Sequence, residues 1–126
     1  MAKNVVLSTA APAPIGPYSQ AIQSGNMLFV SGQIALDPAS GNLVTGSIEE
    51  ETHRVMKNVQ AILAAAQYSF SHVVKCTIFL KDMNNFPKVN TIYGSYFASE
   101  PPARETVEVS RLPKDVNVEI SCIAVK

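Results

Sequence analysis

Apolar and polar residues along this chain change period several times. Alternation at every second position predicts half-buried strands, and apolar recurrence at three and four predicts helix. Asn4–Leu7 reads as a short first strand, Tyr18–Ile22 as a second and Met27–Ile34 as a third. A proline-rich loop ending Ile15-Gly16-Pro17 precedes the second strand, and Ser24-Gly25-Asn26 turns into the third. Ser31-Gly32 interrupts that third strand. A glycine there marks either a bulge or a close backbone approach by a ligand. After the turn Asp37–Asn42, the spacing becomes helical. Ile48, Val55, Met56, Val59, Ile62, Leu63 and Ala66 fall on one face. Ser47 opens this helix as its cap, Glu50 completes a capping box, and Glu49–Glu51 suit the positive end of the helix dipole. His53 falls on the solvated side.

Val73–Leu80 alternates again. Val74, Cys76, Ile78 and Leu80 are expected on one face, and Val73, Lys75, Thr77 and Phe79 on the other. Asn84–Ala98 follows as a second helix, with Pro87 tolerated in its first turn. Its stripe is Phe86, Val89, Tyr93 and Phe97, and Asn90 borders that inward face. Two strands finish the chain, Glu105–Val109 and Asn117–Val125. Paired as a hairpin, they place Val107 and Val109 with Val118, Ile120, Cys122 and Ala124 on a core face. The opposite face collects Arg104, Thr106, Glu108, Asn117, Glu119 and Ser121, with Ile123, Val125 and Phe79 beyond. Two helices cover one side of a sheet. The apolar groups on the second side therefore predict a covering subunit, with Arg104 and Glu119 near the boundary. The order of elements predicts an α+β fold: a mixed sheet with both helices on one face, in a single domain over residues 1–126.

Composition narrows the class. Of 126 residues, 47% are hydrophobic and 16% charged, enough for a buried core. A formal net charge of +0 and the absence of tryptophan argue against a nucleic-acid partner. Cys76 and Cys122 sit in apolar runs and read as buried reduced thiols. No signal sequence or membrane-length apolar run is present, which points to a cytoplasmic protein without membrane contact. No cysteine–histidine spacing suggests a metal, and no cofactor is expected.

The chemistry concentrates at Pro101-Pro102-Ala103-Arg104. The prolines end whatever precedes them and leave Arg104 at a strand mouth. Ile15-Gly16-Pro17-Tyr18-Ser19-Gln20-Ala21, Ser31-Gly32-Gln33-Ile34, Val89–Tyr93, Pro102-Ala103-Arg104 and Arg111–Val116 with Val118-Glu119-Ile120 together resemble the RidA family, also called YjgF/YER057c/UK114. The resemblance implies a chorismate-mutase-like α+β fold and a homotrimer with clefts between subunits. It also implies hydrolysis of reactive 2-imino acids, 2-iminobutanoate and 2-iminopropanoate, to 2-oxo acids and ammonia, which protects pyridoxal-phosphate enzymes. By the same resemblance Arg104 binds the substrate carboxylate, Glu119 and Tyr18 are catalytic, and Asn90, Ser31 and Gly32 line the pocket. Thr106 stands where some members carry an oxidant-sensitive cysteine, so only its backbone N–H is assigned to substrate. Pro101 replaces a frequent aromatic.

Arginine suits a carboxylate because its planar fork makes two parallel hydrogen bonds. Glu119 then positions a water and shuttles its proton, or acts structurally as the ion partner of Arg104. Two other functions stay open: a non-catalytic 2-oxo-acid-binding regulator, and the RNA-directed role implied by relatives called translation inhibitors or ribonucleases.

Overall fold

The computed structural model describes residues 2–126. Its strands are β1 (Asn4–Val6), β2 (Ala21–Ser24), β3 (Met27–Gln33), β4 (Val73–Leu80), β5 (Ala103–Glu108) and β6 (Val118–Val125). The helices are α1 (Ile48–Ala65) and α2 (Phe86–Gly94). The strands form one sheet in the order β1-β2-β3-β6-β4-β5. All neighbours are antiparallel except β4 and β5, which run parallel through the α2 crossover.

Helix α1 starts as its sequence dictates. The Ser47 hydroxyl accepts from the Glu50 N–H at 3.1 Å, and Val55, Met56, Val59, Ile62 and Leu63 are buried beneath it. They pack on Leu28, Ile78, Leu80, Val118 and Ile120 of the sheet, and α2 adds Val89 and Tyr93 to the same buried cluster. Both helices thus lie on one face. The second strand begins at Ala21, three residues later than expected, because Tyr18–Gln20 belong to the preceding loop. Helix α2 stops at Gly94, short of Ala98, and residues 83–85 form a separate 3₁₀ turn. Phe97 still packs inward, its ring centroid 4.9 Å from that of Tyr93.

Bulges decide two faces. On β3 the register to β6 slips between Val30 and Gln33, so Ser31-Gly32 is a bulge. On β4 it slips between Val73 and Lys75. That slip buries Val73 and exposes Val74, the reverse of simple alternation.

The expected β5–β6 hairpin does not form. β4 lies between them, pairing with β6 from Val73 to Leu80 and with β5 on its other edge. β4 and β6 both carry apolar side chains on each face, and only interior places in the sheet cover both. β5 is left at the edge, as its charged composition suits. Arg104 pairs with Cys76 and Thr106 with Ile78, so both face the helices. Glu119 pairs with Phe79 on the opposite face. Arg104, Thr106 and Glu108 thus share a face as expected, but Glu119 does not join them, and Val107, expected on the core face, lies with Phe79 and Glu119 on the outer one.

Candidate functional site

The expected site residues fall into two groups, one on each side of the sheet. The first gathers at the β5 edge. The Arg104 Nη1 donates to Asn90 Oδ1 at 2.6 Å. Its guanidinium carbon lies 5.4 Å from the Phe86 ring centroid and 5.3 Å from that of Tyr93. Glu108, two positions beyond Thr106, accepts from the Met83 N–H at 2.8 Å and ties the turn before α2 to the same strand. The Val109 N–H reaches the Leu80 carbonyl at 2.8 Å. Strand alternation then turns the Thr106 N–H away from β4, toward the free edge. The buried Thr106 hydroxyl oxygen has no partner among the described residues.

The second group lines a cleft of about 610 Å³ on the other side, where Tyr18, Ser31, Gly32 and Glu119 meet. The loop before β2 forms one wall. Gly16 takes φ 123°, a conformation only glycine adopts readily. The buried Gln20 amide holds that loop, accepting from the Ser8 N–H at 2.6 Å and donating to the Pro12 carbonyl at 2.8 Å. The Ser31 hydroxyl donates to the Ser19 carbonyl at 2.6 Å. Gly32 makes room for Glu119. A methyl group there would overlap the Glu119 carboxylate, whose Cδ lies 2.9 Å from that position. Of the two alternatives for this glycine the structure shows the bulge, and the group that approaches it closely is the Glu119 side chain.

Glu119 is half-buried, and no hydrogen bond or ion pair holds its carboxylate among the described residues. Burial pushes its pKa above the ordinary carboxylate value. The described ion pairs are Lys75–Glu105 and Lys81–Asp115. Within one chain, Glu119 is thus no ion partner of Arg104. The opposite faces of β4 keep the two apart.

Some residues at these places escaped the sequence reading. Lys114 lines the cleft from a backbone at φ 55°, followed by Asp115 at φ 56°. Gln33 lines it from the end of β3. Both lie in the stretches that carry the family resemblance. Phe86 and Tyr93 belong to the apolar stripe of α2, and their spacing around Asn90 places all three in one row.

These features define a class: α+β proteins with two helices on one face of a bulged mixed sheet, and a cleft holding a glutamate, opened by a glycine bulge, on the other. The endoribonuclease L-PSP family model matches residues 8–126. The chain belongs to that family, the RidA or YjgF family. It is 55% identical over 124 residues to a RutC family protein of Pyrococcus horikoshii, covering 98% of each chain. It is 48% identical to a mouse protein named 2-iminobutanoate/2-iminopropanoate deaminase, covering 98% of this chain and 92% of that one. The structure of E. coli TdcF with bound serine superimposes with a TM-score of 0.94 at 37% identity, covering 98% of both chains.

Proposed function

We propose that this protein is a reactive-intermediate deaminase that hydrolyses small 2-imino acids to 2-oxo acids and ammonia, in clefts built between two chains of a homotrimer. One observation carries the reading: each group of site residues is chemically half of what the reaction needs. The β5 edge offers a cation and a free N–H, and its Glu108 carboxylate is already held by the Met83 N–H. The cleft offers the unpartnered Glu119 carboxylate and, beside Lys114, no guanidinium fork among the described residues. Bringing the edge of one chain to the cleft of a neighbour supplies both. The outer face of the sheet supports such an assembly, since Phe29 and Val107 on it are 42% and 40% exposed.

In the joined site, Arg104 grips the substrate carboxylate with a planar fork while the Thr106 N–H donates to an oxygen. The imine carbon then faces the neighbour's Glu119. That carboxylate takes a proton from water as the oxygen bonds to carbon, and the C=N electron pair moves to nitrogen. Tyr18 donates to the nitrogen. Collapse of the carbinolamine to the C=O expels ammonia: Glu119 returns to nitrogen the proton it took, and the hydroxyl proton goes back to Tyr18. Ser31 and Gly32 form the floor. The mouse relative named 2-iminobutanoate/2-iminopropanoate deaminase supports the reaction, and the serine in E. coli TdcF supports a ligand of amino-acid size.

The test couples a threonine dehydratase to 2-oxobutanoate formation, with semicarbazide competing for the imine. Wild-type protein is expected to divert the imine to 2-oxobutanoate, and Arg104→Ala to lose that acceleration. A fully active Arg104→Ala protein overturns the assignment. Saturable 2-oxobutanoate binding without acceleration identifies a binding protein instead.

A further inference from the structure

We propose that Phe86 and Tyr93 are positioning residues which, with Asn90, brace the Arg104 guanidinium before any acid arrives; this rests on the reading of Arg104 as the carboxylate site. Phe86, Asn90 and Tyr93 stand four and three residues apart and form one row along α2. Arg104 lies across the row, with both ring centroids within 5.4 Å of the guanidinium carbon and Asn90 Oδ1 2.6 Å from Nη1. Rings at this range attract the cation through their negative faces.

The character of the support matters as much as its geometry. All three braces are uncharged, and no carboxylate pairs with Arg104 among the described residues. A glutamate brace would compete with the incoming acid. Asparagine and ring faces hold the guanidinium while leaving its charge unspent. Nε and Nη2 make no hydrogen bond among the described residues, so the fork keeps donors for a ligand. The brace itself is anchored. The Tyr93 hydroxyl is buried beside the Cys76 thiol, and its ring packs against Phe97 with centroids 4.9 Å apart. Ordering a long arginine in advance removes that cost from the binding step.

The test combines calorimetry with 2-oxobutanoate, the coupled assay, and NMR order parameters of the Arg104 Nε–H in ligand-free protein, assigned with Arg104→Lys. Phe86→Leu and Tyr93→Leu are each expected to weaken binding about two- to fivefold, raise KM with kcat retained, and loosen the Nε–H on the picosecond–nanosecond scale. Phe86→Tyr and Tyr93→Phe, which keep the rings, are expected to restore all three readouts. Should Tyr93→Leu fail to fold, Phe86→Leu on the half-buried ring carries the test. An Nε–H equally ordered without the rings, with unchanged affinity, overturns the proposal. Full-affinity binding by Arg104→Ala overturns the carboxylate reading beneath it, and the two failures are read from different variants.

Discussion

Gly32 and Glu119 constrain each other, and substitutions at the two separate fold from chemistry. The group that an alanine methyl at 32 would meet is the end of a glutamate side chain, which can swing aside. Gly32→Ala is therefore expected to keep stability within about 1 kcal/mol, measured by urea unfolding, while displacing the carboxylate and lowering turnover. Binding of 2-oxobutanoate at Arg104 is expected to survive. Glu119→Gln is expected to slow turnover about 10²–10⁴-fold, again with the acid still bound. The raised pKa of Glu119 fixes two signs. As a base the carboxylate works ionised, so the wild-type rate is expected to fall on acidification through that raised pKa. A carboxyl whose folded pKa lies above its unfolded value favours folding at low pH, and this contribution disappears as pH rises through the folded pKa. Glu119→Gln is thus expected to gain stability over wild type at neutral pH and to lose the advantage at acid pH, as melting at several pH values will show.

The elements are joined by buried polar side chains that hydropathy does not reveal. Glu51, read as a helix-dipole residue, is fully buried. Its carboxylate accepts from the Asn117 N–H and Nδ2 at 2.8 Å each and from the Val118 N–H at 3.3 Å. It thereby clamps the start of α1 to the start of β6, next to Glu119. Glu51→Ala strands these donors in the interior and is expected to cost about 3 kcal/mol or more, measured by denaturant unfolding. Asn58 plays a similar part from the middle of α1, donating to the Ile34 and Leu36 carbonyls at 3.0 and 2.9 Å beside the cleft. The two helices, the Ser47 cap and the strand bodies were legible because local period and capping chemistry determine them. The slip at Val73–Lys75 was not legible, since a bulge is set by the partner strand's register. Cys76 and Cys122 face each other across β4 and β6, and burial pushes both thiols up, in keeping with the buried reduced state read from the sequence.

At the scale of the whole molecule, the proposed site exists only where two chains meet, and mixing experiments address this directly. Arg104→Ala and Glu119→Gln proteins are each expected to be nearly inactive. If each cleft takes its arginine from one chain and its glutamate from the next, random co-assembly leaves on the order of a quarter of clefts with neither substitution. Activity should return on refolding the two variants together. No recovery, despite mixed oligomers seen by mass spectrometry, means that arginine and glutamate serve the same cleft from one chain or do not cooperate. Val107→Asp, on the exposed outer face, is expected to dissociate the assembly and abolish turnover with little change in circular dichroism.

The sequence by itself determined the elements, their buried stripes and the residues able to do chemistry, because helix and strand periods and the donor set of each side chain are local properties. It also carried the family resemblance, in short stretches that survive any error about strand order. The tertiary structure alone decided which residues share a face. Strand parity fixes a side chain only relative to a paired neighbour, and the choice of neighbour is a long-range competition. Here β4 occupied the place that chain order would give to β5, because its apolar residues on both faces needed cover from both sides. That one substitution of neighbours put Arg104 and Glu119 on opposite sides of the sheet.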